Sequence, residues 1–256
     1  MYRAFNLAAF YADDEFEAIG VEIRQRTTDR VREGLEIFLE GGRLDATKLG
    51  AHWFPEIRAD VFISHSHKDE PLALTLAGWL FDQFGVSSFI DSSVWGNSSK
   101  LLKQIDDAHC LNPGGKTYSY ELRNKSTSHV HMMLATALGK MIDKTECVIF
   151  VNTPNSITPS EAVGSKTYSP WIFYELAMMG LVERKSAAEH RPILKEAQFS
   201  ERVAPPLDEV LVQYDADLDK LSAIDVETLN AWRERSRSLK PKPRFPLDTL
   251  YGLVPE

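Results

Sequence analysis

Two hydrophobic rhythms alternate along this chain. Short apolar runs at Asp60-Val-Phe-Ile-Ser64, Val86-Ser-Ser-Phe-Ile90-Asp91 and Cys147-Val-Ile-Phe-Val151 read as buried strands. Between them, apolar residues recur every three or four positions, as on one face of a helix. Leu72, Leu76, Trp79 and Leu80 form one such stripe, with Asp69 as N-cap, Pro71 in the first turn and Gly85 as the stop. Val130, Met133, Leu134, Ala137, Leu138, Met141 and Ile142 form another, in which the methionines read as core filler. The pattern also predicts a helix over 98–108, a loop over 111–116, strands over 191–194 and 210–214, and a late helix over 226–236.

Strands alternating with helices predict an α/β fold of flavodoxin-like type, with about five parallel strands covered on both faces. The predicted main domain spans 59–239, with an insertion at about 109–144. Residues 1–58 read as a helical N-terminal extension, because Val31, Leu35, Phe38 and Leu39 fall at helical spacing before Gly41-Gly42. Residues 240–256 read as a Pro-rich tail. Ligands of such sheets bind at the carboxyl ends of the strands. Here that places the loops after Ser64, Asp91 and Val151 together, with Glu175 on the helix just beyond the third. Trp171 and Glu175 lie one helical turn apart on a shared face. An aromatic wall beside a carboxylate suits a cationic or planar ring, although Trp171 equally suits a core position.

Composition narrows the partners. Lysine and arginine number 29 against 37 acidic residues, a net charge of −8, which argues against nucleic acid or an anionic membrane as partner. Two cysteines, Cys110 and Cys147, supply neither a disulfide framework nor a four-cysteine zinc site. No apolar run approaches the roughly 20 residues of a membrane span, and a cytoplasmic protein is expected. No GxGxxG or P-loop motif is present, so a dinucleotide would not be held in the Rossmann manner. His65-Ser-His67-Lys-Asp69 resembles the HxHxD motif of metallo-β-lactamase-like hydrolases, but Glu70 stands where that motif has histidine. His129 and His131, two apart on a helix, do not face one another. Zinc needs three or four convergent ligands, so no metal or other cofactor is expected, and a metal-dependent hydrolase using His65, His67 and Asp69 is kept as an alternative.

Several of these segments together resemble the Toll/interleukin-1 receptor (TIR) domain family. Asp60-Val-Phe-Ile-Ser64-His65-Ser66-His67-Lys68-Asp69-Glu70 is similar to its opening strand and loop, and Gly85-Val-Ser-Ser-Phe-Ile-Asp91 to its second strand. Ser169-Pro-Trp171-Ile-Phe-Tyr-Glu175-Leu176 resembles the helix that carries the catalytic glutamate of enzymatic members. Arg191-Pro-Ile resembles the fourth strand. The chain departs from the family at Ile172, where cysteine is usual, and in the partial turn Ser92-Ser-Val-Trp95-Gly96-Asn97. The longer middle region resembles bacterial TIR proteins of antiphage systems such as Thoeris.

The resemblance implies an NAD+ nucleosidase or ADP-ribosyl cyclase that cleaves the nicotinamide–ribose bond. NAD+ would be substrate rather than cofactor, and a cyclic ADP-ribose product would reach a downstream effector. Nicotinamide leaves as a neutral molecule, so one carboxylate should suffice where ordinary glycosidases need two. Glu175 would stabilise the oxocarbenium-like ribose. Trp171 would line the pocket, Ser64, His65 and Ser66 would bind phosphate or ribose, and Asp91 and Trp95 would close the opposite wall. Structural roles stand beside each of these: Asp91 as a loop cap, Ser64 and His65 as partners for backbone groups. The enzymatic reading requires Glu175 to face a cleft that admits a dinucleotide. The family also implies a non-enzymatic alternative, a module that acts by self-association through TIR surfaces.

Overall fold

The computed structural model describes residues 1–28, 39–40, 43–159, 165–191 and 214–255. Its centre is a five-stranded, all-parallel sheet flanked by helices, the α/β architecture that the alternation predicts. In chain order the sheet strands are β1 (Arg3–Ala8), β4 (Val61–Ser64), β5 (Ser88–Ile90), β6 (Cys147–Asn152) and β10 (Ser222–Ile224), while β2 (Leu39–Glu40) and β3 (Arg43–Leu44) pair with each other apart from this sheet. Across the sheet they run β10-β1-β6-β4-β5, with Ile63 opposite both Ile90 and Ile149, and Leu7 opposite Val151. Successive side chains point to opposite faces, and both faces are covered. Phe62, Phe89, Val148 and Phe150 pack on one side; Val61, Ile63, Ile90, Ile149 and Val151 pack on the other. That double burial is why the strands read as continuous apolar runs rather than as alternation.

The helices follow from their spacing. α3 (Glu70–Phe84) buries Leu76, Trp79 and Leu80 and stops at Gly85, whose φ of 66° is the left-handed conformation that glycine adopts without strain. α4 (Ser92–His109) starts six residues before the predicted helix. α5 (Tyr120–Lys144) is capped by Ser119 and buries Val130, Leu134, Leu138, Met141 and Ile142. This 25-residue helix packs into the core directly before β6. α6 (Pro170–Leu181) and α7 (Val226–Ser238) complete the layers, with α2 (Ala46–Trp53) packed against α5.

The amino-terminal expectation is corrected. Residues 1–58 are not a separate helical extension, because β1 sits inside the sheet between β6 and β10. Arg3 and Asn6 broke the apolar run and hid the strand. Yet Arg3 is buried, and its guanidinium donates to Ser222 Oγ at 2.9 Å and to the Val254 carbonyl at 2.5 Å. The next helix, α1 (Asp14–Thr28), lies so close to α3 that a Cβ at Gly78 would stand 1.9 Å from the Phe16 carbonyl oxygen. The helix predicted from Val31, Leu35 and Phe38 lies outside the described residues.

The carboxyl-terminal half also differs. Beside β6 the sheet carries β1 on one side and β4 on the other. Arg191 instead pairs with Glu146 at 2.6 Å and Asp248 at 2.7 Å, while 192–194 lie outside the described residues. Of the strand predicted at 210–214, Tyr214–Asp215 (β9) joins a small antiparallel sheet with β8 (Ser165–Thr167) and β7 (Thr158–Pro159). The fifth sheet strand is β10, which the pattern did not reveal. The tail is folded over its described residues 240–255: α8 (Pro246–Leu253) buries Leu247 and Leu250, and Trp232 Nε1 donates to the Pro246 carbonyl at 2.9 Å. Among the described residues no helix is long and apolar enough to cross a membrane.

Candidate functional site

The chain leaves β4 toward β5 on one side and reaches β6 on the other, so the crevice at the carboxyl ends of β4 and β6 is a topological switch point. Ser64 ends β4, His65 follows it, and Asp91 follows β5. Glu175 comes from the second turn of α6. That helix is fixed by Pro170 in its first turn and by Ser169, whose hydroxyl accepts from Ile172 N at 3.2 Å.

These four side chains converge. Ser64 Oγ donates to Glu175 Oε2 at 2.6 Å. His65 Nδ1 lies 2.6 Å from Asp91 Oδ1, and the His65 backbone N–H reaches Asp91 Oδ2 at 3.4 Å. The Asp91 carboxyl lies close enough to act on Glu175. No donor group of the described residues reaches Glu175 Oε1. Two buried carboxyls side by side do not readily ionise together, which favours one proton on the pair. Burial pushes the Glu175 carboxyl well above the usual range; the neighbouring Asp91 carboxyl acts in the same direction, against the Ser64 hydroxyl. Burial alone would lower the His65 pKa, but Asp91, with Glu70 and Asp69 farther off, outweighs it and raises the imidazole above its ordinary value.

Among the described residues the expected open cleft is not observed. Glu175, Ser64, His65 and Asp91 are each 0% exposed. Two clefts among the described residues lie elsewhere. One, of about 570 Å³, lies along α5 at Glu121, Lys125 and His129; the other, of about 390 Å³, lies at the amino end of the sheet near Asp60, Asp143 and His190. Glu175 does not stand alone: the Asp91 carboxyl, held by His65, is close enough to act on it.

Other residues are distributed differently. Trp171 is half-buried, and its ring meets His131 of α5 edge-on, with centroids 5.4 Å apart. Ser66 precedes a single 3-10 turn, His67–Asp69, and its carbonyl accepts from Asp69 N at 2.7 Å. Trp95 lies in the first turn of α4. The HxHxD residues diverge: His65 pairs with Asp91, His67 is exposed, and Asp69 turns to Thr153 and to Asn155 Nδ2, the latter at 2.7 Å. Among the described residues no three His, Cys, Asp or Glu side chains are grouped to hold a metal ion.

Asp69, Thr153 and Asn155 were missed as a group. They tie the loop after β4 to the loop after β6, directly beside the four buried residues. The carboxyl ends of both strands were the available signal. Glu70 extends the support, accepting from Ser92 Oγ at 2.9 Å and pairing with Arg24 of α1 at 2.7 Å. No protein-family model, curated protein or solved structure matches this chain.

Proposed function

We propose that this chain is a TIR-type enzyme that cleaves the nicotinamide–ribose bond of NAD+, with Glu175 as the carboxyl that faces the reacting ribose. The observation that carries this reading is the buried Ser64–Glu175–Asp91–His65 cluster at a switch point of the sheet. A buried carboxyl pair with a shared proton is costly to fold, and groups perturbed in this way concentrate where chemistry is done. Glu175 is closed off from solvent, so this reading requires the cluster to open before substrate reaches it. The positive nicotinamide ring would then favour the ionised carboxylate. That charge would stabilise the oxocarbenium-like ribose as neutral nicotinamide departs. Ser64 would orient Glu175, and His65 would hold Asp91.

A cyclic ADP-ribose product, a cytoplasmic setting and a role in bacterial antiphage defence of the Thoeris kind rest on the sequence resemblance. The test is incubation of the protein and of Glu175→Gln with NAD+, with nicotinamide and the ADP-ribose products identified by mass spectrometry. Nicotinamide release by the parent and not by the variant supports the reading; equal release by both removes Glu175 from the mechanism. One observation favours a second reading, a non-enzymatic module acting by self-association: Glu175 has no exposed surface. On that reading neither protein consumes NAD+, and concentration-dependent assembly survives Glu175→Gln.

A further inference from the structure

The cluster holds more than a cationic substrate requires. Nicotinamide leaves NAD+ without a proton, so an ionised carboxylate would be enough. Here a second carboxyl, Asp91, lies beside Glu175 and pairs with His65 at 2.6 Å, while Glu175, held by the Ser64 hydroxyl at 2.6 Å and fully buried, pairs with no cation among the described residues, which places the proton on Glu175. No donor of the described residues reaches Glu175 Oε1, and the residue is fully buried. A carboxylic acid beside a carboxylate is the equipment of glycoside cleavage in which the leaving group must be protonated.

We propose that this site also cleaves neutral N-ribosides, nucleosides among them, with Glu175 as the general acid and Asp91 as the charge that faces the ribosyl cation. The inference rests on the N-glycosidase reading above and extends its substrate class. The Glu175 proton passes to a ring nitrogen of the base as the C1′–N bond breaks, and the electron pair of that bond leaves with the base. Water adds to C1′ and returns a proton to the Glu175 carboxylate, so riboside plus water gives ribose plus free base. The groups that set this proton's position come from each surrounding element. They are His65 after β4, Asp91 after β5 and Tyr174 beside Glu175 on α6. Asp69 and Glu70 act on His65, and Arg24 of α1 pairs with Glu70.

The two substrates need opposite states of one carboxyl, the acid for a neutral riboside and the anion for NAD+. The ratio of acid to anion falls about tenfold for each pH unit, wherever the pKa lies. The experiment therefore measures kcat/KM of the full chain for adenosine and for NAD+ across the neutral range, following release of adenine and nicotinamide. The expected result is cleavage of both, with the adenosine-to-NAD+ ratio falling about tenfold per pH unit. A constant ratio overturns the proton assignment. NAD+ cleavage without adenosine cleavage overturns this inference and leaves the underlying reading intact, and cleavage of neither overturns both. Asp91→Asn adds a second readout, because asparagine cannot share the proton. Its loss on adenosine should exceed its loss on NAD+ by about tenfold or more, and equal losses reduce Asp91 to a structural role.

Discussion

Replacing Glu175 with glutamine should make the protein more stable as pH rises, relative to the parent. Glutamine keeps the shape of the protonated side chain. Its oxygen still accepts the Ser64 hydroxyl and its amide donates to Asp91, yet it never ionises. In the parent, the folded chain holds a proton on Glu175 that the unfolded chain has already released above its ordinary pKa of 4.5. A carboxyl whose pKa is raised by folding gives stability that is complete below the unfolded value and is lost as pH climbs through the folded one. Within that window one extra bound proton tilts unfolding free energy by about 1.4 kcal/mol per pH unit. The variant lacks this slope, so its advantage should grow by that amount per unit, about 3–6 °C in Tm for a chain of this size. His65 titrates in both proteins and cancels in the difference. Urea unfolding of both, at several pH values from mildly acidic to mildly alkaline, measures the gap directly. Parallel stability curves would refute the shared proton, as would a penalty for glutamine that is the same at every pH.

Three further substitutions probe neighbouring parts of the structure. Ser64→Ala removes the 2.6 Å donor to a fully buried oxygen and should cost about 1–3 kcal/mol in chemical denaturation; no loss would mean that the bond is not formed. His65→Gln breaks a buried pair and should cost about 3–5 kcal/mol. That loss should be greatest on the acid side of 6.5 and fade as pH rises through the raised imidazole pKa, so a pH-independent loss counts against a charged His65. Gly78→Ala drives a methyl toward the Phe16 carbonyl, where α1 and α3 must separate, and should lower stability by about 1–3 kcal/mol; an unchanged Tm would show that the two helices do not meet there.

The parts of this fold legible in the sequence are those whose signals are local. Val61–Ser64, Ser88–Ile90 and Cys147–Asn152 announce themselves as apolar runs because both of their faces are buried, and the ends of those runs place Ser64, His65 and Asp91 correctly. Glu175 was legible from Ser169, Pro170 and its helix position. β1 was hidden because the partners that satisfy Arg3 lie more than two hundred residues away, at Ser222 and Val254. β10 was hidden because Ser-Ala-Ile is too short to show a period. Helical spacing puts Trp171 and Glu175 on one face but does not specify their neighbours; His131 takes the first, and Ser64 with Asp91 takes the second. The proton shared by two carboxyls depends on distances across three elements, and the closure over them is tertiary as well.

The most direct measurement of the central claim is the rate of nicotinamide release from NAD+ by the parent and by Glu175→Gln, at a pH where both are fully folded. If Glu175 stabilises the ribosyl cation, the parent releases nicotinamide and the variant is slower by about 100-fold or more. Equal rates, or no release by the parent, would contradict the account.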